Sequence, residues 1–237
     1  MSVIITVGSA ATLAAQAATD TIPIVFAMGA DPVQFSLVSG LNRPGGNITG
    51  VYALNYAVLG KRLELLHELI PTTGVIALLT NPSSPFTEAE TKALYEAARA
   101  LGVELRVLNA VNESEIDTAF ATLAKEHSVP LVVSNDAMFT NQRVRLVVLA
   151  ARHAIPAIYS DRQFSAAGGL MSYGPDLADA NRQVGIYTGR ILKGTKPTDL
   201  PVQQSVKVEL VINLNTAKAL GITFPLPLLG RADEVIE

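Results

Sequence analysis

Residues 2–32 read SVIITVGSAATLAAQAATDTIPIVFAMGADP. Two short apolar runs, Val3–Val7 and Ile22–Ala27, each stop at small and polar residues. Gly8-Ser9-Ala10 follows the first and Gly29-Ala30-Asp31-Pro32 the second. Between them Ser9–Thr19 is Ala-rich and reads as a helix. A strand, a glycine turn, a helix and a second β-branched strand make one βαβ unit, the building block of a parallel sheet.

The same cadence continues along the chain. Strands are expected at Ile48–Tyr52, Val75–Leu79, Val103–Leu108, Leu131–Val133, Ala157–Tyr159, Leu170–Tyr173 and Val206–Ile212. Helices are expected at Leu59–Leu69, Thr87–Leu101, Glu113–His127, Gln142–His153, Leu177–Leu192 and Asn215–Leu220. In Leu59–Leu69, Leu63, Leu66 and Ile70 share one face, with Lys61, Arg62, Glu64 and Glu68 around the other. Thr87 is the expected N-cap and Gly102 the C-terminal stop of its helix. Ser114 and Asp117 fit an acidic capping box. The fold class is therefore α/β with parallel sheets. A break near Pro71–Thr73 divides it into a first lobe, 1–72, and a second lobe, 73–170.

The chain has 237 residues, 49% hydrophobic and 16% charged, which is a globular composition. Its net charge of -3 lacks the basic excess that a general nucleic-acid binder needs. Cysteine is absent, which removes disulfides and thiolate chemistry. His67, His127 and His153 stand far apart, without metal-ligand spacing, so neither a metal nor another cofactor is expected. Residues 1–19 are uncharged, and Ala14-Ala15-Gln16-Ala17 resembles a small-residue cleavage site. No basic segment precedes it, and Thr6, Gly8 and Ser9 interrupt any apolar core, so strand and helix is the stronger reading.

In a parallel sheet, ligands meet the carboxyl ends of strands, where helix N-termini also point. Those ends are small and polar here. They supply the candidate ligand residues Ser9, Ala10, Ala30, Asp31, Asn81, Ser83, Ser84, Asn135, Asp136, Tyr159 and Tyr173. Each also has a structural reading. Ser83 and Ser84 serve a cap, a ligand, or both. Asp136 competes with Thr140 as an N-cap. Asp31 before Pro32 favours a turn. Tyr159 and Tyr173 pack, or wall a ring-bearing ligand. Nucleophile elbows, dinucleotide fingerprints and phosphate loops are absent from the sequence. Ser9 follows a strand and a turn as a nucleophile would, but none of the histidines falls where its base is expected.

Several phrases carry a resemblance: PIVFAMGADPV (23–33), LNRPGGNITGV (41–51), GKRLELLHELIP (60–71), AARHAIPAIYSDRQFSAAGGLMSYGPD (150–176) and ELVINLNTAKALGI (209–222). They resemble the ABC-transporter substrate-binding proteins of the type that takes tryptophan and other aromatic amino acids. The resemblance runs from about Val3 to Glu237. It implies a type I periplasmic-binding-protein fold: two Rossmann-like lobes with parallel sheets, joined by hinge crossovers, closing on a small molecule without chemistry. Residues 171–237 would then hold the crossovers and a segment returning to the first lobe. Asn135-Asp136 would face an ammonium and Ser83-Ser84 a carboxylate, which suits a zwitterionic amino acid. The implied partners are the small-molecule ligand and ABC permease subunits, not nucleic acid. The implied location is the periplasm, or a lipid-anchored extracytoplasmic place.

Family members carry a secretion signal and a strand-helix-strand-helix stretch before the equivalent of Val3. This chain starts without them, so its first lobe is expected to be incomplete, with a swapped dimer one way to fill it. Two rival readings share the α/β class. The effector-binding core of a regulator would need a DNA-binding helix-turn-helix, and an enzyme acting through Ser9 or Asp136 would need a partnered base.

Overall fold

A computed structural model describes residues 2–53, 58–126 and 129–237. In chain order the elements are β1 (Ile4–Val7), α1 (Ser9–Ala18), β2 (Ile24–Met28), β3 (Ile48–Ala53), α2 (Leu59–Leu69), β4 (Val75–Thr80), α3 (Thr87–Leu101), β5 (Glu104–Asn109), α4 (Glu113–Ala124), β6 (Leu131–Val133), α5 (Ala137–Asn141), α6 (Arg143–Arg152), β7 (Ala157–Tyr159), α7 (Arg162–Ala166), β8 (Met171–Pro175), α8 (Leu177–Leu192), β9 (Gln203–Ser205), β10 (Val208–Asn213), α9 (Leu214–Ala219), α10 (Leu226–Leu229) and β11 (Glu234–Ile236). They form two compact units, Met1–Tyr56 with Pro175–Lys207, and Ala57–Gly174 with Val208–Glu237.

The first unit carries a four-stranded sheet in the order β1-β2-β3-β9, every pair parallel. One face of α8 closes over it. Ala180, Val184, Tyr187 and Ile191, spaced to share that face, join Val25, Val51 and Leu200 in one core. β2 and β3 approach closely at Gly50: a Cβ there would stand 2.2 Å from the Phe26 carbonyl oxygen, so only glycine fits. The Thr49 hydroxyl donates to the Leu200 carbonyl at 2.7 Å, fastening β3 to the segment before β9.

The second unit carries a seven-stranded sheet in the order β11-β10-β8-β7-β6-β4-β5. The pairs β4–β5, β4–β6, β6–β7, β7–β8 and β10–β11 are parallel. Its central strands are apolar on both faces, as strands covered by helices on each side must be. Ile116, Phe120 and Leu123 of α4 and Leu146, Leu149 and Ala150 of α6 pack with Leu79, Leu131 and Val133.

The compact units are bounded differently from the expected lobes. The units divide at 56/57, not 72/73, because α2 packs on α3 and on the ends of β6 and β7. Pro175–Lys207 does join the first unit, but Val208–Glu237 does not return to it. β10 hydrogen-bonds into the seven-stranded sheet, and β11 extends that sheet. The expected helix Gln142–His153 is α6, Arg143–Arg152, and a short helix that was not expected, α5, precedes it and ends at Asn141. The helix expected to reach His127 ends at Ala124, and His127 lies outside the described residues. The capping box of α4 sits at Asn112 and Glu115 rather than Ser114 and Asp117. The Asn112 side chain accepts from Glu115 N at 3.0 Å, while the Glu115 carboxylate accepts from the Val111 backbone N and from the Asn112 side-chain amide. Thr87 is the first residue of α3, not its cap; its hydroxyl donates to the Asn81 carbonyl.

Candidate functional site

Each unit has a rim where its strands end and its helices begin. In the first unit, Gly8 takes φ 90° and turns β1 into α1. Ser9 opens α1 and is buried, and Ala10 beside it is exposed. The Thr12 hydroxyl donates to the Gly8 carbonyl at 2.9 Å and shares a 3.0 Å hydrogen bond with Thr6, so the turn is braced from beneath. The first-turn backbone N–H groups of α1 can accept an anion.

Beyond β2, Ala30 is buried and Asp31 is half-buried. The Asp31 carboxylate accepts from Val33 N at 2.9 Å, the turn that an aspartate before proline favours. Tyr52, opposite Met28 in the β2–β3 register, stands on the same rim. Burial pushes its phenol pKa up, and the Asp31 charge adds to that. Tyr52 is absent from the residues singled out above, although it ends a strand just as Tyr159 and Tyr173 do.

In the second unit the loops after β4 and β6 come together. The Asn81 amide donates to Asp136 Oδ1 at 3.2 Å. The same oxygen accepts from Met138 N at 2.8 Å and caps α5, so Asp136, not Thr140, is the N-cap. Both bonds fall on Oδ1. Asn81 Oδ1 also accepts from Ser83 N at 3.0 Å, and Ser84 Oγ from Phe86 N at 3.4 Å. Ser83 is exposed, while Ser84, Asn135 and Asp136 are half-buried. Asn81, Ser83, Ser84 and Asp136 therefore form one braced polar rim, with Asn135 next to Asp136 in the chain.

Tyr159 takes the packing alternative. It is fully buried, its ring stacked on Phe164 with centroids 4.7 Å apart, inside the core that holds Leu79 and Val133. Burial pushes its phenol pKa up, and its hydroxyl has no hydrogen-bond partner among the described residues. It packs behind the strand-end rim. The next two residues do the polar work at this strand end. The Asp161 carboxylate accepts from Gln163 N at 3.0 Å and from Ser160 Oγ at 3.2 Å, and it caps α7. Burial raises its pKa against those bonds and against the charges of Arg62 and Arg143. Tyr173, on β8, keeps a half-buried side chain and gives its carbonyl to Arg62.

Arg62 and Glu90 are the other residues missed above. Arg62 was expected on the polar face of its helix but is fully buried. The signal is present in the spacing: Arg62 falls three after Leu59 and four before Leu66, inside the apolar stripe. Glu90 likewise shares a face of α3 with Leu94 and Ala98.

Comparison with known proteins places the chain in a family. The family model for ABC transporter substrate binding proteins matches residues 1–236. A tyrosine-binding protein of Clostridioides difficile is 29% identical over 209 residues, 88% of this chain and 60% of that protein. The chain thus spans 60% of the length of that curated relative. A solved ABC domain from Streptococcus pneumoniae in complex with L-Trp is 27% identical, with a TM-score of 0.86 over 99% of this chain and 78% of that one. A conserved domain protein of Vibrio cholerae is 28% identical, with a TM-score of 0.85 over 98% and 78% of the two chains. The chain belongs to the ABC transporter substrate-binding protein family, and its two α/β units are those of the type I periplasmic-binding-protein fold.

Proposed function

We propose that this chain binds one free amino acid, without chemistry, as the solute-binding component of an ABC importer, and hands it to permease subunits outside the cytoplasm. The observation that carries this reading is the Asn81–Asp136 bridge. It holds a carboxylate on the rim of the second unit with one oxygen engaged by two donors. A ligand ammonium finds its counter-charge there. On the same unit, Ser83 and Ser84 offer donors for the ligand carboxylate. Asn135 and Tyr173 complete the candidate residues of this unit, and the first unit carries its own: Ser9 at the N-terminus of α1, Ala10, Ala30 and Asp31. The family is one of binding proteins, and the relatives named for tyrosine and L-Trp make aromatic amino acids the first ligands to try.

The test is thermal unfolding of the chain with each of the common amino acids. A true ligand at a hundred times its Kd adds about 2.7 kcal/mol of stability and raises Tm. Asp136→Asn keeps an N-cap acceptor but removes the charge, and should weaken binding by about tenfold to a hundredfold. A cooperative melt that no amino acid shifts overturns the reading. Unchanged affinity in Asp136→Asn overturns the ammonium role alone.

A further inference from the structure

Tyr52 stands near the end of β3 with only 6% of its surface exposed. The register sets its direction. Thr6, Phe26 and Gly50 are level across β1, β2 and β3, and two residues further on Met28 is level with Tyr52. Level residues of neighbouring parallel strands share a face, and so do residues two apart on one strand. The Thr6 hydroxyl shares its hydrogen bond with Thr12 of α1, so this is the face that α1 covers. Val25 and Val51 lie on the opposite face, with α8. Tyr52 therefore stands on the α1 face of the sheet, at the end where α1 begins after Gly8.

A buried tyrosine ordinarily finds a partner for its hydroxyl. Tyr187 does so, donating to the Pro201 carbonyl at 2.6 Å. The Tyr159 hydroxyl has no partner and is sealed in the core of the second unit. The Tyr52 hydroxyl also has no hydrogen-bond partner among the described residues, yet it is not sealed from solvent. Its side chain is held within the first unit while its O–H, donor and acceptor both, is left open on the rim. Asp31, on the loop after β2, puts a carboxylate on the same rim, with Oδ1 engaged by Val33 N. An acidic ligand side chain would be repelled there, and a purely hydrocarbon one would leave the Tyr52 hydroxyl unmatched.

We infer that Tyr52 is a specificity-determining residue, whose hydroxyl hydrogen-bonds a ligand side chain that carries an uncharged O–H or N–H on an aromatic ring. The inference rests on the proposed function. In that reading the second unit supplies groups for the ligand's ammonium and carboxylate, which leaves the side chain for the first. Of the aromatic amino acids, tyrosine carries such an O–H, tryptophan an N–H, and phenylalanine neither.

The test is isothermal titration calorimetry of the full chain and of Tyr52→Phe with L-tyrosine, L-tryptophan and L-phenylalanine. The wild-type chain should bind L-tyrosine or L-tryptophan about tenfold more tightly than L-phenylalanine. Tyr52→Phe keeps the ring and removes only the hydroxyl. It should lose about that factor for the better ligand and leave L-phenylalanine unchanged, whereas a merely structural role would move all three alike. A wild-type chain that binds amino acids without favouring L-tyrosine or L-tryptophan over L-phenylalanine overturns the inference and not the proposed function. So does a variant that keeps the wild-type preference or weakens all three ligands equally. A chain that binds no amino acid overturns both. The wild-type preference decides by itself if the variant does not fold.

Discussion

Single residues in this chain are decided by what stands within a few ångströms. Gly174 and Gly185 show the contrast. A Cβ at Gly174 would strike the Ser160 carbonyl at 1.8 Å, whereas a Cβ at Gly185, within α8, meets nothing within 4 Å. Gly174→Ala should therefore cost about 1–3 kcal/mol, as other overpacked sites do. Gly185→Ala should be neutral or stabilise by up to about 1 kcal/mol through lower unfolded-state entropy and better helix propensity. Chemical denaturation of both variants checks this pair, and equal effects would remove the steric account. The tyrosines follow the same rule. Tyr159 and Tyr173 look alike in sequence, each at the end of an apolar run, yet only Tyr159 stacks on Phe164 and leaves the surface. Arg62 and Glu90 were hidden because a charged residue is ordinarily assigned to solvent. Their places in the stripes of α2 and α3 indicated burial, but the sequence alone did not show which neighbours would surround them.

At the scale of elements, helix ends set how firmly each loop is held. The longest helix, α8, starts at Asp176, whose carboxylate accepts from Ala178 N and Asp179 N at 3.1 Å each and pairs with Lys207 at 2.7 Å. Those interactions, the Lys207 bond first, hold the Asp176 pKa below its usual value. A depressed folded-state value gives stability that is present above the unfolded pKa, about 3.9, and lost as pH falls through the folded one. Asp176→Ala should thus cost about 1 kcal/mol at pH 7, with the gap to wild type closing in strong acid. Asp176→Asn should lose less than half as much, because asparagine caps as well as aspartate and the exposed lysine pair adds little. Urea unfolding at pH 7 and pH 3 measures both. Most strands and helices could be read directly, since alternation of apolar runs with amphipathic stretches has few other solutions. The caps were less legible. Ser114 and Thr87 had the right side chains, but the chain entered its helices at Asn112 and Phe86.

At the scale of the whole molecule, the order of strands decides which surfaces are open. β1 stands at one end of the four-stranded sheet, and Ile5 and Val7 on it are 51% and 69% exposed. Unpaired backbone groups beside exposed apolar side chains favour pairing with a second copy. Val7→Lys should reduce self-association on concentration, and light scattering that does not change would count against a role for this edge. The chain also passes between its units at 56/57, 174/175 and 207/208, which places Gly174-Pro175 and Lys207 at transitions. By itself the sequence determined the α/β class, the parallel cadence, the family and the polar strand-end loops. Each of those follows from local pattern: period, turn residues and short specific phrases. Tertiary structure alone decided that Val208–Glu237 completes the second unit, that Asn81 meets Asp136, and that Arg62 lies buried under two strand ends. A strand's own residues show that it is buried but not which neighbour buries it, because the backbone hydrogen bonds that join strands are the same for every sequence.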